Sequence, residues 1–227
     1  MKKVLLIAAV ALFGFNAAQA QEEGIRFGAK AGLNIASITG DDIDDVKSKI
    51  GLHFGAVVEI PLSEKFAFQP ELVYSSQGAK SELSESGAGF EFSSESNTKL
   101  SYLNIPLMMK FYVAEGFSLQ AGPQLGLLLS SKVDFDFSDT FEGVTETESF
   151  DLDSKDVTNG LDLALNFGMG YKLEMGLFFD ARYSLGLSNI NKSGKIAEND
   201  FFDEIEVDAD KVSNKNSVIS LSIGYKF

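Results

Sequence analysis

The sequence predicts an all-β chain rolled into a closed, antiparallel, up-and-down barrel of eight strands. Three observations point there. Apolar and polar residues alternate with a period of two through eight successive segments, short and long connections alternate between those segments, and the last segment ends on an aromatic. In that last segment Ile219, Leu221, Ile223, Tyr225 and Phe227 share one face, while Val218, Ser220, Ser222, Gly224 and Lys226 share the other. A sheet with one greasy and one polar face, closed with the polar face inside, is a transmembrane β-barrel.

Ahead of the strands, Lys2 and Lys3, the apolar run Val4 to Phe15 and the small-residue site Ala18-Gln19-Ala20 read as a secretion signal. Its core is too short for a membrane-spanning helix, which needs about 20 apolar residues. Cleavage is expected after Ala20, leaving one barrel domain over residues 21–227. No cysteine is present, which excludes a lipidated cysteine, disulfides and thiolate metal sites. The net charge of −14 falls to −16 once Lys2 and Lys3 are removed, and so acidic a chain is not expected to bind nucleic acid.

The strands follow in order. Gly24 to Ser37 sends Phe27, Ala29, Ala31, Leu33 and Ile35 outward, with Arg26, Lys30 and Asn34 inward. Ile50 to Leu62 sends Leu52, Phe54 and Val58 outward, with His53 and Glu59 inward. Phe66 to Gln77 sets Phe68, Leu72 and Tyr74 against Gln69 and Glu71. Leu100 to Ala114 sets Leu103, Leu107 and Phe111 against Tyr102, Asn104 and Lys110. Phe117 to Ser131 sets Leu119, Leu125 and Leu129 against Gln120 and Gln124. Gly160 to Leu173 sets Leu163, Phe167 and Tyr171 against Asp162, Asn166 and Lys172. Gly176 to Leu187 sets Phe179, Ala181 and Tyr183 against Asp180, Arg182 and Ser184, and the terminal strand closes the set. Each is long enough to cross a tilted apolar band of about 25 Å.

Short turns fall at Ser63–Lys65, Ala114–Gly116 and Glu174–Met175. Long polar loops fill 38–49, 78–99, 132–159 and 188–216, and hold most of the 33 carboxylates. In outer-membrane barrels the short turns are periplasmic and the long loops extracellular, so both termini are expected in the periplasm. Phe135, Phe137, Phe141 and Phe150 in the third loop and Phe201 and Phe202 in the fourth suggest that some loops prolong the strands as ribbons above the membrane.

These residues resemble the PorT-like outer-membrane β-barrel family of Bacteroidetes. The resemblance rests on Phe27-Gly28-Ala29-Lys30-Ala31-Gly32-Leu33-Asn34, on Glu59-Ile60-Pro61-Leu62 through Gln69-Pro70-Glu71-Leu72, and on Tyr102-Leu103-Asn104-Ile105-Pro106-Leu107. Ala121-Gly122-Pro123-Gln124-Leu125-Gly126, Gly168-Met169-Gly170-Tyr171 and Asp180-Ala181-Arg182-Tyr183 complete it. The resemblance implies an eight-stranded barrel of the cell outer membrane. The founding member is linked to secretion and gliding machinery, but no residue pattern here carries that role.

Six inward charges, Lys30, Glu59, Glu71, Lys110, Asp180 and Arg182, are expected to form one interlocked ionic layer that plugs the lumen. The rival reading is a gate for protons or small ions. Inward glycines make room for these side chains, and Gly168-x-Gly170 lies inside a strand, so it is no nucleotide loop. His53, the one histidine, is placed near the outer end of its strand, where barrel acylases, deacylases and proteases keep a catalytic histidine. No partner motif supports that use. Asp41-Asp42-Ile43-Asp44-Asp45 and Asp208 with Asp210 lack EF-hand spacing, so no metal and no cofactor are expected. Phe66, Phe111, Phe117, Tyr171, Tyr225 and Phe227 fit an interfacial aromatic girdle. Tyr225 and Phe227 also resemble a terminal assembly signal. The expected function is non-enzymatic, structural or recognition work by acidic extracellular loops. Its partners would be outer-membrane lipid, lipopolysaccharide and the barrel-assembly machinery, with the loop partner unknown. A channel or secretion accessory, a lipid-modifying enzyme and a soluble lipocalin-like barrel are the alternatives.

Overall fold

The computed structural model describes residues 24–40, 46–87, 90–141, 144–196, 205–207 and 212–227. The expected signal segment, Asp41 to Asp45, Phe201, Phe202, Asp208 and Asp210 lie outside them. Among the described residues there are eleven strands: β1 (Arg26–Gly40), β2 (Val46–Pro61), β3 (Phe66–Gly87), β4 (Phe90–Tyr112), β5 (Phe117–Phe141), β6 (Val144–Asp153), β7 (Leu161–Lys172), β8 (Leu177–Gly186), β9 (Gly194–Ile196), β10 (Ile205–Val207) and β11 (Asn214–Lys226). Eight of them are hydrogen-bonded in the order β4-β3-β2-β1-β11-β8-β7-β5, and β5 pairs with β4 to close the ring. Every pairing is antiparallel. Closure removes the sheet edge, which hydrocarbon would otherwise leave without hydrogen-bond partners.

The orientation of the wall is settled by burial. Leu163, Phe179 and Leu221 are 51%, 43% and 51% exposed, whereas Glu71, Lys110 and Arg182 are 4%, 2% and 6% exposed. The greasy face therefore looks out and the charged face in, which is the reverse of a lipocalin-like cavity. Among the described residues no helix is long and apolar enough to cross a membrane.

The connections at one end are short, and this is the turn end. Leu62 N–H donates to Phe66 O (2.8 Å) across the first turn. Gly116 and Gly176 close the other two with positive φ (73° and 93°), a conformation that glycine adopts without steric cost. Outward aromatics ring this end: Phe66 and Phe111 pack 5.0 Å apart and Tyr225 and Phe227 5.2 Å apart.

At the other end some of the long connections do prolong the strands as ribbons, as expected, and leave less loop than the polar composition suggests. Residues 78–87 and 90–99 are the tips of β3 and β4, and most of 132–159 belongs to the upper part of β5 and to β6. Above the level of Lys132, β5 leaves β7 and pairs with β6 instead. The result is a four-stranded sheet, β3-β4-β5-β6, standing beyond the apolar belt. A register shift between Ser101 and Tyr102, opposite Leu129, lets both Leu128 and Ser131 face inward. Parity then places Phe92, Phe135, Phe137 and Phe150 on the concave, lumen-side face of the ribbon, with Phe135 and Phe150 rings 5.2 Å apart. The period-two pattern ran on through these segments, but the abundance of acids masked it. The shared rule is that an acid on an outer ribbon face costs nothing in water.

The belt generates a direct test. Leu221→Arg, at mid-strand, is expected to cost about 2–4 kcal/mol of folding stability in lipid vesicles. Thr147→Arg, on the ribbon, is expected to change it by less than about 0.5 kcal/mol. Urea titration of vesicle-inserted protein reads both.

Candidate functional site: the barrel lumen

Inward side chains from all eight ring strands meet on the barrel axis and fill it in tiers. The six charges picked out by the sequence all reach the lumen, but they form two stacked clusters instead of one layer. Strand stagger separates them in height.

The upper cluster is built on Glu71 of β3. Arg182, directly across the ring on β8, donates to it with both terminal nitrogens (2.8 and 2.6 Å). Lys30 of β1 pairs with the same carboxylate at 2.5 Å. Arg182 also meets Asp180 at 3.2 Å, and Gln120 Oε1 accepts from its Nε and Nη2 (3.2 and 2.8 Å). Gln120 in turn donates to Asp180 (2.7 Å), and Gln69 donates to Glu71 (2.6 Å). Gly170 keeps this arrangement possible, since a Cβ there would collide with both Asp180 Oδ1 and Gln120 Nε2.

The lower cluster is built on Glu59 of β2. It pairs with Lys226, with Lys110 at 3.5 Å, with Lys172 at 3.7 Å and with Arg26 at 2.9 Å. Tyr112 O–H donates to the same carboxylate (2.9 Å). Gln69 joins the two clusters, because its Oε1 accepts from Lys226 (2.7 Å) and Lys110 (3.4 Å) while its amide holds Glu71. Arg26, Lys172, Lys226, Gln69, Gln120 and Tyr112 were not among the predicted layer residues. All have inward parity, so alternation was the available signal; which heights coincide depends on stagger, which one chain's pattern does not show.

The tier directly above the clusters, around His53, is uncharged; nearer the mouth the buried Asp162 accepts from Ser188 (2.9 Å) and Asn216 (3.2 Å). His53 lies at the middle of β2, because that strand begins at Val46, and not near its outer end. It is 4% exposed and bonded at 2.8 Å to both Asn34 Oδ1 and Ser222 Oγ. Asn34 also donates to Ser75 Oγ (2.9 Å). One amide and one hydroxyl bonded to the imidazole, with no carboxylate hydrogen-bonded to it, make no base held by an acid as a nucleophile–base pair requires. The cavity beside His53, Asn166 and Arg182 is about 30 Å³, room for a water or two.

The mouth beyond is closed. Leu100, Tyr102 and Leu128 pack with Ile190, from the segment after β8, and with Ile38. Asn159 N–H donates to Ile190 O (2.7 Å), and its side-chain amide donates to Asn189 O (2.7 Å) and Asn191 O (2.8 Å), tying that segment down. A single turn of 3-10 helix, Lys155–Val157, buttresses it through Lys192 N–H to Val157 O (2.8 Å). Ile190 is one of several scattered apolar residues in the 188–216 loop and lies in no periodic pattern, so the sequence gives no signal for this lid. Outside, on the convex ribbon face, Lys80 donates to Glu95 (2.6 Å), which raises its pKa, and the hydrogen bond from Lys47 lowers that of Glu82. No cluster of three or more histidine, cysteine or acidic side chains suited to a metal occurs among the described residues.

With a closed ring, an apolar outer wall and an ionic lumen in view, comparison with known proteins places the fold. The family model described as outer membrane protein beta-barrel domain matches residues 17–192. The chain belongs to this family. No curated protein matches the chain significantly. Among solved structures it is similar to the attachment invasion locus protein Ail of Yersinia pestis, at 15% identity and TM-score 0.40, with 89% of this chain and 99% of that chain covered. OprG of Pseudomonas aeruginosa aligns at 14% identity and TM-score 0.42, covering 89% and 95%. Neisserial surface protein A gives 14% and 0.40, covering 88% and 97%. The protein is thus an outer-membrane β-barrel.

Removing one partner of a buried ion pair strands the other. Glu71→Gln is therefore expected to cost about 3–5 kcal/mol in vesicle unfolding. The double variant Glu71→Gln/Arg182→Gln should lose at least about 1 kcal/mol less than the sum of the single losses. Additive losses would mean that the two groups do not act as one unit.

Proposed function

We propose that the protein is a non-enzymatic outer-membrane barrel that anchors an acidic β-ribbon at the cell surface, with its lumen plugged. The filled lumen carries this reading. Two ionic clusters, a neutral tier with about 30 Å³ of free space, and the Ile190 lid follow one another along the axis. A conducting pore of this ring size would need those tiers emptied. The narrow-channel alternative has no comparable observation behind it. His53 is sealed among Asn34 and Ser222, which leaves the lipid-modifying reading without an accessible base.

In this reading the turn end and both termini lie in the periplasm and the ribbon lies outside. Lipid tails and lipopolysaccharide surround the belt, and Tyr225 and Phe227 are what the barrel-assembly machinery engages. The PorT-like assignment within the wider family rests on the strand motifs quoted above. The ribbon's outer face carries Glu82, Glu95, Asp134 and Asp151 paired with Lys47, Lys80, Lys99 and Lys132, a mixed-charge surface that suits recognition of a partner with complementary charges.

Two measurements test this. Planar-bilayer recordings of pure protein should show no stable nanosiemens-scale openings; such openings would overturn the plug. Because the chain has no native cysteine, single cysteines report topology cleanly. Ser138→Cys should react with an impermeant maleimide on intact cells, and Ser63→Cys only after the outer membrane is opened. The reverse pattern would invert the orientation.

A further inference from the structure

The two ionic clusters differ in charge. In the upper one Lys30 and Arg182 face Glu71 and Asp180, and the charges cancel. In the lower one Arg26, Lys110, Lys172 and Lys226 all face Glu59. Asp180 cannot make up the deficit, since Arg182 and Gln120 hold it in the upper cluster. Aromatic faces offset part of it: Lys226 lies 4.6 Å from the Phe178 ring centre, and Lys110 and Lys172 flank Tyr112 at 5.6 and 5.9 Å. Ring quadrupoles are weaker partners than an anion, and excess positive charge held away from water is costly.

Beneath this cluster lies a vestibule of about 1000 Å³ that opens at the turn end. Arg26, Glu59, Lys172, Lys226 and Tyr112 line its inner wall, three cations to one carboxylate. Lys226 is buried, whereas the Arg26 and Lys172 side chains are 44% and 21% exposed and so face the opening. Glu64, Glu115 and Glu174 sit on the turns with Lys65, at the exposed rim, where water and salt screen them. Charge is thus segregated by depth, with a net positive inner wall, where three cations outnumber Glu59, and acids in excess at the lip.

We propose that this vestibule is a binding site for a phosphate-class oxyanion, held between the Arg26 guanidinium and the Lys172 and Lys226 ammonium groups. A tetrahedral oxyanion offers several acceptors at once, matching the planar fork of Arg26 and the point donors of the lysines. The phosphate is either free in solution or carried on a lipid head group at the same membrane face. The proposal does not depend on what the ribbon recognises.

The test uses the full barrel in a phosphate-free maltoside detergent, titrated with inorganic phosphate at constant ionic strength against chloride. A ligand that binds the folded state raises the unfolding midpoint by mass action. The midpoint should rise with phosphate, and Arg26→Gln/Lys172→Gln should need about tenfold more phosphate for half the rise. Lys65→Gln, at the rim, should behave as wild type. A parallel arm replaces phosphate with phosphatidylglycerol; a rise there alone, lost in the double variant, assigns the site to a head group. Phosphorus line broadening with unmodified protein gives a reading independent of any variant. Broadening absent with both probes, or a midpoint rise equal in wild type and double variant, overturns the site.

Discussion

A charged side chain in a wall surrounded by hydrocarbon has only one tolerable direction, inward, and once there it must be paired. That constraint organises the whole molecule. The strands alternate because their two faces meet opposite solvents. The ring closes because an open edge would leave backbone groups unbonded. The lumen fills because eight strands enclose a space that side chains can span, and the Glu71–Arg182 pair spans it from one wall to the other. Pairing across the ring also links strands that are not neighbours in the sheet, so the ionic tiers brace the barrel against collapse and fix which heights come level.

The same constraint explains the asymmetry of the two ends. Around the belt, polar residues are confined to one face, and glycines such as Gly170 give the long lumenal side chains room. Past the belt, water wets both faces, so β3, β4 and β5 run on as a ribbon with Glu82, Glu95 and Asp136 on the outer face and Phe92, Phe135 and Phe137 on the lumen side, where Asp139 joins them. The chain spends its negative charge there and its excess positive charge at the turn end, in the cluster around Glu59. Membership of the outer-membrane barrel family is consistent with each of these features, and the geometry adds what the family alone does not say, namely that this lumen is packed.

Alternation in Leu161 to Lys172 or Leu177 to Gly186 was enough to place strands, faces and lumenal charges, because period two is written residue by residue. The short turns were legible for the same local reason, through Gly116 and Gly176. The ionic tiers were only half legible. Lys172, Lys226 and Arg26 had inward parity, yet nothing local says that β7, β11 and β1 bring them level with Glu59. Tier membership is a property of strand stagger, a long-range quantity. The strand extensions were legible in the loop phenylalanines, but their length was not, because Glu82, Glu95 and Asp136 on the solvent face of regular strands look in sequence like a solvated loop. The Ile190 lid was invisible, since scattered apolar residues in a polar segment have no periodicity to reveal it.

The central claim is that adjacent residues of one strand face hydrocarbon and a packed ionic lumen in turn. Spin labels placed singly at each position from Asn216 to Lys226, in protein reconstituted into lipid vesicles, test it most directly. Oxygen accessibility should alternate with a period of two, high at Ile219, Leu221, Ile223 and Tyr225 and low between them, and the labels at those low positions should be immobilised. A uniform profile, or one with its maxima at Ser220, Ser222 and Gly224, would contradict the account.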